Sequence, residues 1–518
     1  MLNGGTKKIM ATNDNKRIAK NTTMLYFRML FNMLVTLYTS RIILNTLGVS
    51  DFGIYNVVGG IVVMFSFLNS AMGAATSRFL IFELGKKDHV QLKKVFNASL
   101  SSHIAIAFFV LLLAETIGLW FLTHKLVIPS ERMAAAIWVY QFSILSAMVT
   151  LTQVPYNALI IAHEKMNIYA YVSVLDTILK LGIVFLLAVG DFDKLKLYAL
   201  LVFLVSSIIA LIYRFYCTNN FVESAVAFKW DKKLYKELFS FSIWELYGGF
   251  AIMGMGQGLN ILLNIFFGPG VNAARGIAYQ IQGAVLGFGD NFITAVKPQI
   301  IKLYAENNLK QMMSLVFSSS KYSFFLTFFL TLPLLLETPL VLNLWLKTVP
   351  DYTVSFCRLI MINNLIWSMR SPIVTCFHAV GQLKIANLVC GSLFYLIVIV
   401  SYFCLKAGMI PESVFIVTII VSLMVQITEL YLLKLFIRYS IKEYILKVVA
   451  RCLLVLIVSA IIPFLFIFVM QPGLVRFIVV GSTSVSSVML SVFSLGIDAD
   501  TRNLVGMKIK TTIQKFRR

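Results

Sequence analysis

Charge is what this chain has least of. Only 13% of its 518 residues are Asp, Glu, Lys or Arg, while 59% are apolar. A soluble domain carries roughly 25% charged residues, and a soluble chain this long would split into several domains with polar surfaces. Acids are the scarcest, 23 against 45 Lys and Arg. Cysteine and histidine are too few and too scattered for metal or redox chemistry. Cys217, Cys357, Cys376, Cys390, Cys404 and Cys452 form no CxxC pair, which excludes a zinc ribbon and a disulfide framework. His89, His103, His124, His163 and His378 form no HExxH, and no GxxxxGKS/T loop exists for nucleotide phosphates. No metal and no cofactor is expected.

What is present is apolar length. Runs suited to crossing a bilayer, each of roughly 20 residues or more, lie near 22–47, 52–80, 96–123, 132–160, 166–190, 195–217, 237–267, 272–301, 314–346, 352–379, 384–407, 412–437, 447–471 and 474–497. The expected fold is an all-α integral membrane protein of about fourteen transmembrane helices. The polar, basic N terminus is not a signal peptide, because the first apolar run is too long and lacks a cleavage site. Translation starts at Met1 or Met10.

The net charge of +22 sits in short loops, which argues for membrane orientation and against nucleic acid as a partner. Alternate loops are basic: Lys7 to Lys20, Lys86 to Lys94, Arg214 to Lys236, Lys434 to Arg451, and the tail. Lysine and arginine collect on the cytoplasmic side of membrane proteins, so both termini are expected there.

Two internal matches lie six crossings apart. TQVPYNALIIAHEKMNIYA aligns with MRSPIVTCFHAVGQLKIAN, setting Pro155 on Pro372 and Ala162 on Ala379. LGVSDFGIY…SRFLIFELGKKD aligns with FGPGVNAAR…VKPQIIKLYAENN. Six crossings preserve orientation, so the halves are expected to be parallel repeats about a pseudo-two-fold axis along the membrane normal. The expected division is a cytoplasmic segment 1–21, a six-helix bundle 22–217, a linker 218–236, a second bundle 237–437, two extra helices in 447–497, and a basic tail 498–518.

The opening KRIAKNTTMLYFRMLFNMLVTLYTSRIILNTLGVSDFGIYNVV resembles the first two helices of the Wzx-type O-antigen flippases, as does PYNALIIAHEKM at the end of the fourth crossing. These polysaccharide exporters belong to the multidrug/oligosaccharidyl-lipid/polysaccharide (MOP) superfamily. The resemblance implies two six-helix bundles with two extra C-terminal helices. It also implies transfer of an undecaprenyl-diphosphate-linked oligosaccharide to the outer leaflet of the bacterial inner membrane, for surface polysaccharide such as the O-antigen of lipopolysaccharide. The implied partners are that lipid-linked substrate, membrane lipid and other polysaccharide-assembly proteins.

Charges inside the spans are costly, about 2.5–3.5 kcal/mol each on insertion scales, and mark candidate sites. The candidate substrate-binding set is Arg28, Arg41, Arg78, Lys180, Arg275, Lys297 and Arg370. A diphosphate must leave water to cross, and arginine forks suit its oxygens. The bland reading is that Arg28, Arg78 and Lys297 snorkel to the cytoplasmic interface. Asp176, Glu245 and Asp290 are candidates for ion coupling or for counter-ions. Asp176 and Lys180 are four apart, so they can pair on one helical face, either structurally or in a cavity wall. Gly254/Gly258 and Gly283/Gly287 have the spacing of close helix packing or of flexing. Pro155, Pro298 and Pro372 either kink their spans or end them.

Three functions compete. Cations suit an anionic lipid-linked oligosaccharide, moved by alternating access of the two halves around a cationic cavity. A cation-coupled multidrug extruder of the same superfamily would instead need an acid-dominated cavity. A membrane glycosyltransferase or polymerase would need a large loop with catalytic carboxylates, but 218–236 offers only Glu223 and Asp231. A non-enzyme is expected.

Overall fold

A computed structural model describes residues 3–63, 66–124, 128–187, 192–227, 230–346, 349–498 and 502. These residues are almost entirely helical, with no strand among them. In chain order the helices are α1 Asn3–Val63, α2 Ser66–Lys86, α3 His89–His124, α4 Ser130–Ala162, α5 Met166–Leu186, α6 Lys194–Asn220 and α7 Lys232–Phe267. Then follow α8 Pro269–Ala305, α9 Leu309–Leu336, the short α10 Thr338–Trp345, α11 Thr353–Val380, α12 Leu383–Lys406 and α13 Ser413–Phe436. The last two are α14 Ile441–Val469 and α15 Leu474–Gly496. The tail beyond Asp498, apart from Arg502, and the Arg41 side chain lie outside the described residues.

Ten of these helices are long and apolar enough to cross a membrane: α3 to α7, α9 and α12 to α15. α8 and α11 have the length, 37 and 28 residues, but carry more polar side chains. They hold Arg275, Gln282, Asp290, Lys297, Asn363, Asn364 and Arg370. An all-apolar helix tolerates lipid on every side, whereas polar positions at bilayer depth demand protein or water as neighbours.

The chain divides into two compact units. Unit 1 is Met1–Gly249 with Ile301–Asn307; unit 2 is Phe250–Ile300 with Asn308–Arg518. The divisions fall inside α7 and at the end of α8, and 218–236 lies within unit 1.

The backbone carries the internal repeat more clearly than the side chains do. Gly48 (φ +80°) breaks α1 at the start of one matched segment, and Gly268 (φ +82°) separates α7 from α8 at the start of the other. Lys87 and Asn307 are both left-handed, φ +60° and +57°. The next residue in each case is a helix N-cap: Asp88 accepts from the Gln91 amide at 2.9 Å, and Asn308 from the Gln311 amide at 3.4 Å. In the other match, the turn after α4 places Glu164 at φ +59°, and the turn after α11 places Gly381 at φ +79°. Left-handed backbone is costly for most residues, so its recurrence at matched positions requires a shared local design.

Unit 1 has an apolar core of Ile54, Val58, Ala114, Leu122, Val139, Tyr140 and Leu195 with their neighbours. A π-turn at Ala114–Gly118 interrupts α3. The Tyr140 hydroxyl donates to the Ala114 carbonyl at 2.7 Å, which also accepts from the Leu119 amide across the wider turn.

Unit 2 is organised around α9, two thirds of whose apolar window is buried. A methyl added to Gly289 of α8 would sit 3.4 Å from both Ser323 Oγ and Thr327 Oγ1 of α9, so small side chains let these helices approach. Gly254 and Gly258 pack α7 on α12: a methyl would meet Tyr395 at 3.3 Å and Val398 at 2.8 Å. Gly283 has open space around it, so close packing applies to the first glycine pair and not to Gly283. Pro155, Pro298 and Pro372 all lie inside helices and end none of them.

Candidate functional site

Among the described residues, some charged side chains inside the spans are matched by carboxylates and others are held by neutral groups. Asp176 and Lys180 pair as their spacing allows, Nζ to Oδ2 at 2.8 Å, on a face of α5 where Lys180 remains about half exposed. Arg370 of α11 meets a carboxylate that sequence reasoning missed, Glu429 of α13. Its Nε donates to both carboxylate oxygens at 3.0 Å and its Nη2 to Oε1 at 2.6 Å. The side chains are 12% and 3% exposed. The guanidinium also lies 4.9 Å from the Trp367 ring and 5.4 Å from Phe394. Glu429 was visible as a lone acid in an apolar run; only its distance from Arg370 in sequence hid the pairing.

Arg275 is built differently. It donates to the Gly256 carbonyl at 2.6 Å and to Asn260 Oδ1 at 3.2 Å, and it lies 4.1 Å over the Tyr279 ring. None of these partners is negative. Nε of Arg275 and Oδ1 of nearby Asn272 are buried with no hydrogen-bond partner among the described residues. Arg214 of α6 is similar: it donates to Thr152 Oγ1 at 2.7 Å and faces the Tyr156 ring at 5.8 Å.

The remaining predicted residues are placed as follows. Arg28 is half-buried and stacks over Tyr169 at 4.7 Å; one helical turn on, Asn32 donates to Ser173 at 2.9 Å. Arg78 is buried among the rings of Phe79, Phe82 and Phe241, at 4.6, 4.7 and 6.0 Å. Glu245 and Lys297 are half-buried, and Asp290 is exposed on α8. Gln282, two turns before Asp290, donates to Asn364 of α11 at 3.2 Å.

Further ion pairs cluster mostly near helix ends. Arg132 bridges Asp51 and Asp193, donating through Nε to Asp51 Oδ1 at 2.9 Å and through Nη1 to Asp193 Oδ2 at 2.9 Å. Asp193 also caps α6 by accepting from the Leu195 and Lys196 amides. Burial pushes its carboxyl up, but the Arg132 and amide hydrogen bonds outweigh that and hold it below the usual aspartate range. On the side of the basic loops, His163 Nε2 lies 2.5 Å from Glu223 and stacks on Phe221. Next to it, Glu164 is gripped by Arg17 at 2.7 Å and Lys302 at 2.6 Å.

In unit 2 the last two helices are tied to α9 and the turn that follows it at both ends. Arg476 of α15 forks onto Glu337, just after α9, at 2.8 and 3.0 Å. Lys321 of α9 reaches Asp498 at 3.2 Å, and Arg451 of α14 pairs with the same carboxylate.

This is the fold of the MOP-superfamily transporters. A MATE structure in the straight conformation matches with a TM-score of 0.70 at 15% identity, over 82% of this chain and 96% of that one. An outward-facing multidrug resistance MATE transporter of the MOP superfamily matches at 0.68 and 16%, over 82% and 96%. A MOP transporter from Pyrococcus furiosus, described as having a reversed pocket polarity that suggests a different function, matches at 0.66 and 16%, over 81% and 96%. No protein-family model and no curated protein matches the sequence.

Proposed function

We propose that this chain is a non-enzymatic transporter that moves an anionic, lipid-linked oligosaccharide across the bacterial inner membrane by alternating access, from a cytoplasmic side bearing the basic loops. The observation that carries the reading is Arg275. A guanidinium near the start of α8 is held by a carbonyl, an amide and a ring, with no carboxylate among these partners, and a cation inside a span is costly and marks a functional site by default. A diphosphate head group is an anion, and a guanidinium fork binds two of its oxygens. Within unit 1, Arg28 is a half-buried cation stacked on Tyr169. Surface polysaccharide assembly supplies a cargo of this chemistry, and the opening and PYNALIIAHEKM segments point the same way.

The reading as a cation-coupled extruder draws on one observation, the exposed carboxylate of Asp290 on α8. The two readings separate in cells. Deleting the gene should trap lipid-linked oligosaccharide on the cytoplasmic leaflet, and Arg275→Ala should fail to relieve that block while reaching the membrane at normal levels. Normal surface glycan in the deletion strain, with raised sensitivity to cationic dyes, would instead support the extruder.

A further inference from the structure

The turn between α4 and α5 binds the end of a helix that belongs mostly to the other unit. Residues Pro269–Ile300 of α8 lie in unit 2, but Ile301–Asn307 are part of unit 1. Three contacts within unit 1 hold that end. Lys302 Nζ donates to Glu164 Oε1 at 2.6 Å. Tyr304 lies against Phe82, ring centroids 6.2 Å apart. Gly85 of α2 meets the α8 backbone so closely that a methyl there would fall 2.8 Å from Ala305 Cβ and 2.9 Å from Lys302 Cα. The Glu164 carboxylate, 2% exposed, is matched from its other side by Arg17 at 2.7 Å.

This arrangement has an energetic consequence. Removing one partner of a buried pair leaves the other charge uncompensated. If the α8 end moves away from α2, Lys302 leaves Glu164 behind with Arg17 and loses the anion that neutralises it. The movement becomes easy only if another anion takes the place of the carboxylate.

We propose that Arg17 and Lys302 form an anion site for a diphosphate group in unit 1, that Glu164 occupies it as an internal stand-in, and that an incoming diphosphate competes with Glu164 for Lys302 and so frees the end of α8 from the α4–α5 turn. This inference rests on the reading of the cargo as anionic. It adds the entry step: the head group that is carried also unlocks the helix.

The test uses the full-length protein with Ala305→Cys, labelled by a charged maleimide against the background of the native cysteines. Wild-type residues at 164 and 302 should give slow labelling, because Gly85 covers position 305. Glu164→Gln and Lys302→Gln should each raise the rate about tenfold, two routes to the same release if one variant folds poorly. Inorganic pyrophosphate should accelerate labelling of the parent and add little to Glu164→Gln. Vesicles containing undecaprenyl diphosphate, compared with phosphatidylglycerol alone, distinguish a lipid-borne from a free diphosphate. Parental labelling rates in both variants overturn the proposal. Fast labelling in the variants with no response of the parent to either diphosphate also overturns it, leaving the transport reading untouched. A diphosphate response in a protein whose deletion leaves glycan export normal upholds the site and removes the cargo reading instead.

Discussion

Arg370 and Glu429 are 59 residues apart in sequence and share three hydrogen bonds at 2.6–3.0 Å inside unit 2. An arginine that looked from sequence like a bare substrate cation is thus neutralised within its own unit. Removing one member leaves the other buried and unpaired, at a cost of about 3–5 kcal/mol. Glu429→Ala and Arg370→Ala should each lower the Tm of the purified protein and its yield in membranes. A double replacement by apolar residues should recover much of the loss. An Arg370→Ala protein with unchanged Tm and lost export would instead return Arg370 to the substrate path.

The two C-terminal helices are expected to be integral to unit 2, because the attachment at the start of α15 uses a carboxylate only 1% exposed. Arg476→Leu strands Glu337 and should cost about 3–5 kcal/mol. Faster hydrogen exchange in α15, with α3 to α6 unaffected, is the expected result. Arg476→Leu combined with Glu337→Leu should restore protection.

Glycines with the same spacing should respond differently to a methyl group. Gly258→Ala forces a Cβ to within 2.8 Å of the Val398 side chain, and overpacking of this kind costs typically about 1–3 kcal/mol. Gly283→Ala meets nothing within 4 Å and gains helix propensity of about 1 kcal/mol. Thermal unfolding should rank Gly283→Ala at or above the parent and Gly258→Ala below it. The reverse order would contradict the packing of α7 on α12.

Asp193 should make stability depend on acid pH. Its folded pKa is held below the ordinary value near 3.9 by Arg132 and two amides, against burial. The unfolded chain therefore binds the proton more readily. The stabilisation is complete above the unfolded value and is lost as pH falls through the depressed folded value. Tm measured from pH 6 downward should drop more steeply in the parent than in Asp193→Asn, the steepest difference lying below about 4. Parallel curves would show that the Arg132 contact is not maintained in solution.

The repeat shows how far sequence reached. Few side chains match between PYNALIIAHEKM and its partner, yet Glu164 and Gly381 share a left-handed turn. Asp88 and Asn308 share a capping role in the other match. Unlike residues occupy the matched left-handed positions, Glu164 against Gly381 and Lys87 against Asn307, so residue identity did not mark them. The partners of Arg370, Arg476 and Lys302 were not legible. Each pairs with an acid 59 to 139 residues away, and no local spacing rule reaches that far.

Composition and periodic apolar length determined that the chain is a helical membrane protein, since backbone groups in lipid must be satisfied within each span. They also determined where its polar residues would be exceptional. Which of those residues meets a carboxylate was decided only by tertiary structure. Low dielectric makes each buried charge depend on what lies within a few ångströms. Glu429 lies beside Arg370, and neutral groups lie beside Arg275.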